Sequence, residues 1–185
     1  MVSTAPRVRS AITGGPGAGK STLIAALERD GVAAVPEVAR IILQQPGGMA
    51  LRANDPAGFA LAMFEAERAA FEAARPGITV FDRGFPDIAG FLDLEGLAIP
   101  AEVERACAGL RYEGPVFHAP MWEDIYAQDE ERIQTWPEAL ESDAAVLSAW
   151  RRYGYDPIEL PRVSVQARAR FVRNWLGPIA GAAQG

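Results

Sequence analysis

Short apolar runs alternate along the chain with stretches whose apolar residues recur every three or four positions. The run RVRSAIT at 7–13 predicts a strand ending in a glycine-rich turn. A helix is predicted over 20–30, with Leu23, Ile24 and Leu27 on one face and Gly31 as its stop. A brief strand over 32–36 and a helix over 37–45 follow, closed by Pro46-Gly47-Gly48. Residues 49–56 read as a loop, with Asp55-Pro56 as N-cap and first helical position of a long helix to about 74. Phe59, Met63, Phe64 and Phe71 form its apolar stripe. The uninterrupted run at 78–81 has the pattern of a strand buried on both faces, and it ends at Asp82-Arg83-Gly84. Helices are predicted over 86–95, 100–110 and 137–153, and strands over 115–118 and 157–160. Ser164 caps a final helix that should stop at Gly177-Pro178, leaving a frayed tail.

Strands alternating with helices imply an α/β fold with a parallel sheet of about five strands and helices on both faces. No internal repeat or long linker divides the 185 residues, so one domain over 1–185 is expected. Hydrophobic residues make up 49% and charged residues 23%, which excludes disorder across the whole chain. A net charge of -6 argues against a protein that coats polymeric nucleic acid. No apolar run approaches the ~20 residues that cross a bilayer, and residues 1–10 lack the apolar stretch of a signal peptide. The single cysteine, Cys107, cannot form an internal disulfide and reads as a small buried apolar residue. A reducing, cytoplasmic setting is therefore expected.

Of the 18 basic residues, Lys20 alone is lysine. It lies in Gly14-Gly15-Pro16-Gly17-Ala18-Gly19-Lys20-Ser21, which matches the phosphate-binding loop G-x-x-x-x-G-K-[ST] between a predicted strand and a predicted helix. Glycines let backbone N–H groups converge on phosphate oxygens, and the next helix turns its N-terminus to the same anion. Lys20 supplies a positive charge for the β and γ phosphates, and the Ser21 hydroxyl is placed for Mg²⁺.

The other candidates follow predicted strands, at the sheet edge where ligands bind in open α/β folds. Asp82 could hold Mg²⁺ through water, accept a proton, or simply cap the next helix. Arg83 could pair with substrate phosphate or with a carboxylate. Glu37 could orient or deprotonate an acceptor hydroxyl, or serve the helix macrodipole. Arg40, one turn on, could pair with Glu37 or face the ligand. Residues 122–143 carry eight acidic side chains and one basic one, Arg132, a candidate lid arginine offsetting transition-state charge. His118 and the four tryptophans read as structural, Arg162 as a residue that could stack on a purine, and Arg168, Arg170 and Arg173 as a solvated helix face.

The segments GGPGAGKST, VPEVAR, VFDRGFPD, W-x-x-I-Y-x-x-D-x-E-R and YGYDPIELP occur in that order. Together they resemble the small AAA-type ATPase/kinase-like family of P-loop NTPases. They are also similar to the NadR-type ribosylnicotinamide kinase domain and, more distantly, to deoxynucleoside and thymidylate kinases. The resemblance runs from about Arg9 to Trp175. It implies ATP and Mg²⁺ at Gly14 to Thr22, roles for Asp82 and Arg83 near the acceptor, and a lid around Arg132. No hydrophobic run ends in Asp-Glu, so the ATPase type of Walker B is missing. The first expectation is a kinase moving the ATP γ-phosphoryl group to a small hydroxyl or phosphate acceptor, with Glu37 or Asp82 as base. The alternative is a slow, nucleotide-dependent regulatory ATPase acting on a protein partner.

Overall fold

The computed structural model describes residues 6–126 and 135–182, with side chains to residue 179. The order is β1 (Arg7–Thr13), α1 (Lys20–Arg29), β2 (Ala33–Val35), α2 (Val38–Leu43), α3 (Gly48–Asn54), α4 (Pro56–Ala73), β3 (Gly77–Asp82), α5 (Phe85–Leu94), α6 (Ala101–Gly109) and β4 (Val116–His118). A short 3₁₀ turn (Glu123–Ile125), α7 (Trp136–Arg152), β5 (Ile158–Glu159) and α8 (Val165–Ala182) complete it. The strands form one parallel sheet in the order β2-β3-β1-β4-β5.

The two-residue period of the strands sorts their side chains into two cores. Ala11 and Phe81 face a cluster with Phe59, Phe85, Tyr112 and Trp150, contributed largely by α4, α5 and α7. Ile12, Val80 and Phe117 face the opposite cluster, with Leu23 and Leu27 of α1 and Val172 and Leu176 of α8. Burial on both faces is what the continuous apolar run of β3 predicts. Ile12 is level with Asp82 and Thr13 with His118, so β1, β3 and β4 end together at one edge.

Two sequence expectations change. Residues 48–54 form a helix rather than a loop. Gly47 takes a left-handed φ of 83°, and its carbonyl accepts from the Leu51 N–H at 2.8 Å. Flanking turn residues masked the helix formers Met49, Ala50, Leu51 and Arg52. Helix α8 continues through Pro178 to Ala182. Pro178 removes the N–H that the Asn174 carbonyl would accept, but Asn174 is exposed and its carbonyl can bond to solvent. Helix α7 begins within a residue of its predicted start, and Ala139 in its first turns is fully buried. No helix among the described residues is long and apolar enough to cross a membrane.

Candidate active site

The residues from Gly14 to Ser21 turn the chain from β1 into α1, with left-handed φ of 138° at Gly14, 78° at Gly17 and 77° at Gly19. Glycine is needed at Gly14 and Gly17 on contact grounds as well. A Cβ on Gly14 would run into the Ala119 carbonyl oxygen, and one on Gly17 would lie 2.6 Å from the Tyr126 ring. The Lys20 ammonium folds back along the loop and donates to the carbonyls of Gly14 at 2.9 Å and Gly15 at 2.8 Å. Burial, helped by the Arg83 charge, lowers its pKa to about 8.

Behind Lys20, the Ser21 hydroxyl lies 3.4 Å from Asp82 Oδ2, while Asp82 Oδ1 is buried without a hydrogen-bond partner among the described residues. Burial first, then the Glu37 charge, pushes the Asp82 carboxyl above the usual range, against Lys20 and Arg83. A buried carboxylate oxygen with open lone pairs beside a hydroxyl suits a hard divalent cation. Among the described residues no group of three or more His, Cys, Asp or Glu could hold a metal by itself. The pair thus fits Mg²⁺ arriving with phosphate oxygens, the usual pattern for that ion.

Arg83 ties the edge together. It is the one described non-glycine residue with positive φ, at 78°, a conformation that costs on the order of 1 kcal/mol. Its Nε donates to Glu37 Oε1 at 2.7 Å, and its Nη1 to the Gly14 carbonyl at 3.0 Å and Asp87 Oδ1 at 3.2 Å. Asp87 also accepts from the Thr13 hydroxyl at 2.6 Å, the Gly84 N–H at 3.0 Å and the Trp150 indole at 2.8 Å. Four donors, from β1, the β3–α5 junction and α7, therefore converge on one buried carboxylate, which fixes the guanidinium between the loop and Glu37.

A cleft runs from Gly17, Lys20 and Ser21 past Glu37, Arg40 and Arg83 into an apolar interior lined by Phe59, Met63, Ile88 and Phe91. At its inner end Glu67 of α4 is 1% exposed and accepts from the Tyr112 hydroxyl at 2.6 Å. Burial pushes its pKa up to about 8. On the far side of the loop, Asp143 of α7 accepts from the Gly15 N–H at 2.7 Å and pairs with His118 Nε2 at 3.0 Å. Arg168 of α8 donates to the Ala18 carbonyl through Nη1 at 3.2 Å.

The loop residues Gly14 to Thr22, Glu37, Arg40, Asp82 and Arg83 thus share one edge, and Glu37, Arg40, Lys20, Ser21 and Arg83 line one cleft. Asp82 sits behind it with Ser21. Arg132 lies outside the described residues, and Arg162 is exposed. Arg168 is not part of a solvated face: it is 4% exposed, because its position on α8 falls in line with buried Val172 and Leu176. Trp175 is 48% exposed rather than packed. Sequence reasoning missed Glu67, Asp87, Tyr112 and Asp143. For two of them a signal existed. Glu67 interrupts the stripe of Met63, Phe64 and Phe71, and Asp143 the stripe of Ala139, Val146 and Trp150. A charge inside an apolar stripe is buried with a partner or a task.

A family model described as an AAA domain matches residues 9–168. No curated protein matches the chain in sequence. Among solved structures it is similar to a deoxyadenosine kinase from M. mycoides with products dCMP and dCDP bound: TM-score 0.70, 15% identity, 93% of this chain and 100% of that one. A thymidylate kinase from Candida albicans gives TM-score 0.65 at 12% identity, over 95% of this chain and 93% of that one. A shikimate kinase from Acinetobacter baumannii in complex with shikimate gives TM-score 0.61 at 14% identity, over 95% and 96%. These likenesses are of fold, that of P-loop kinases, and the sheet and phosphate loop described above agree with it. The family match spans the loop and the Arg83 junction and ends at Arg168 in the first turn of α8, and by it this chain belongs to the AAA domain family of P-loop proteins.

Proposed function

We propose that the protein is a small-molecule kinase, transferring the γ-phosphoryl group of ATP to a hydroxyl or phosphate acceptor. The observation that carries this reading is the continuity of the cleft: Lys20 and Ser21 of the phosphate loop and an apolar cavity with Glu37 at its rim line one space. A protein that only hydrolyses nucleotide has no need of such a cavity beside the phosphates.

In this reading the backbone amides of residues 14–22 and the Lys20 ammonium hold the triphosphate, and Ser21 with Asp82 holds Mg²⁺. Mg²⁺, when bound, draws charge from the phosphate oxygens. Glu37 is the carboxylate on the acceptor side. It takes the proton of an acceptor hydroxyl as that oxygen bonds to the γ-phosphorus and the bond to the β–γ bridging oxygen breaks. Arg83 pairs with Glu37 and aims it, and Asp87 holds Arg83. Arg40 contributes to acceptor binding at the cleft rim. Catalysis of this type is mostly positioning and charge stabilisation.

The test is ATP consumption with Mg²⁺ against a panel of nucleosides, nucleotides and small metabolic alcohols. One compound should raise turnover by orders of magnitude, and Lys20→Ala should lose at least a thousandfold of it while its melting curve stays cooperative. Slow hydrolysis indifferent to the whole panel would sink the kinase reading.

A further inference from the structure

We propose that Glu67 determines acceptor specificity, selecting an uncharged acceptor whose inner end presents a hydrogen-bond donor beside a hydrogen-bond acceptor, as a cyclic amide or amidine edge does. The inference rests on the reading of the cleft as the acceptor site.

Glu67 is placed as no ordinary glutamate is. It lies on the apolar stripe of α4, 1% exposed, and lines the cleft in company with Phe59, Met63 and Ile88. Its one hydrogen bond among the described residues comes from Tyr112, whose hydroxyl in turn accepts from the Phe85 N–H at 3.3 Å. The charges that face it are negative, Asp87 from α5 and Asp82 from β3. Arg40, Arg52 and Arg83 line the same cleft, but Arg83 is committed to Glu37, Asp87 and the Gly14 carbonyl, and among the described residues no cation offsets a charge on Glu67. With a pKa of about 8 the side chain is a carboxylic acid at neutral pH.

A carboxylic acid and a carboxylate read different partners. The acid offers one O–H donor and, on the oxygen bonded by Tyr112, one acceptor lone pair. That pattern complements a ring N–H beside a C=O, or an amino group beside a ring nitrogen. A carboxylate offers acceptors alone and would call for two donors or a cation. The apolar walls favour a flat ring, and leaving the buried Glu67 unmatched once a ligand fills the cleft carries the cost of a buried unpaired group.

The experiment measures dissociation constants by calorimetry, without ATP, for uridine, inosine and adenosine as edge-bearing probes. Ribosylpyridinium serves as the cationic probe and shikimate as the anionic one. At pH 6.5 at least one nucleoside should bind the wild-type chain tenfold or more tighter than both charged probes. Glu67→Gln presents a donor and an acceptor in the same places, so it should keep that affinity within about threefold. Glu67→Leu should lose at least tenfold. Raising the pH to 9 ionises Glu67 and should weaken wild-type binding about tenfold more than Glu67→Gln binding, the variant correcting for any ionisation of the uridine or inosine ring N–H. Should Glu67→Leu fail to fold, the Glu67→Gln affinity and this difference in pH profile still decide. Binding of the pyridinium as the tightest probe, a Glu67→Gln affinity down tenfold or more, or no nucleoside binding at all would each overturn the inference. Nucleoside binding without Lys20-dependent phosphoryl transfer would instead overturn the kinase reading and leave this one standing.

Discussion

At the scale of single residues, Lys20 is a buried charge, and the proposed function makes it the phosphate ligand. Burial and Arg83 hold its pKa near 8 in the nucleotide-free chain. Phosphate oxygens beside it favour the ammonium and raise that value. Nucleotide binding at pH 8 should therefore take up about half a proton, and at pH 6.5, where Lys20 is already charged, almost none. Calorimetry in buffers of different ionisation heat measures this directly, and equal heats at pH 8 would contradict it. The loop itself was legible because its chemistry is local: eight consecutive residues make one anion cradle. Glu37, Asp82 and Arg83 were legible because strand ends place them at one edge. Their division of labour was not. Only the structure sets Glu37 on the cleft and Asp82 behind it with Ser21. Nor could sequence show that Asp87 gathers Thr13, Arg83, Gly84 and Trp150, since that depends on α7 lying against α5.

At the scale of elements, α5 and α7 hold the site from outside, and Gly90 sets their separation. A Cβ there would sit 2.8 Å from the Val146 Cα and 3.0 Å from its nitrogen, backbone atoms that cannot swing aside. Gly90→Val should cost about 1–3 kcal/mol by overpacking and lower the melting temperature by roughly 2–10 °C. The Trp150 bond to Asp87 spans the same contact, so turnover should fall more than stability explains. Thermal melts beside activity assays check both, and an unchanged melting temperature would refute the packing argument. Long periodic elements such as α4 and α7 were readable to within a residue or two, since their stripes are long and their starts carry proline. Helix α3 was not, because two turns between strong turn formers leave too little period to see. The end of α8 was misjudged because Pro178 falls in the last, exposed turns, where the carbonyl it orphans can reach water.

At the scale of the whole molecule, the last helix reaches back to the first loop. Arg168 donates from α8 to the Ala18 carbonyl, so the nucleotide loop leans on a segment 150 residues away in the chain. Arg168→Leu keeps the packing of α8 but releases the loop. It should weaken ATP binding three- to tenfold and leave acceptor binding within twofold, as measured by separate titrations. Equal loss of both affinities would mean that Arg168 only supports the fold. The parallel architecture was legible from the alternation of strand and helix patterns, because every crossover returns the chain to the same edge. The contact between α8 and the loop was not, since nothing in local pattern couples positions so far apart.

The solitary lysine has a practical side. Apart from any free α-amine, Lys20 is the one primary amine of the chain, and it sits inside the phosphate loop. With a pKa near 8, about a tenth of it is the free base at pH 7. Amine-directed acylating reagents thus have a single side-chain target, and a label on the peptide that carries residue 20 is a mass increment at the phosphate loop. Bound nucleotide both shields that amine and protonates it. The mass spectrum of a briefly acylated sample would then count empty sites molecule by molecule, with no engineered probe.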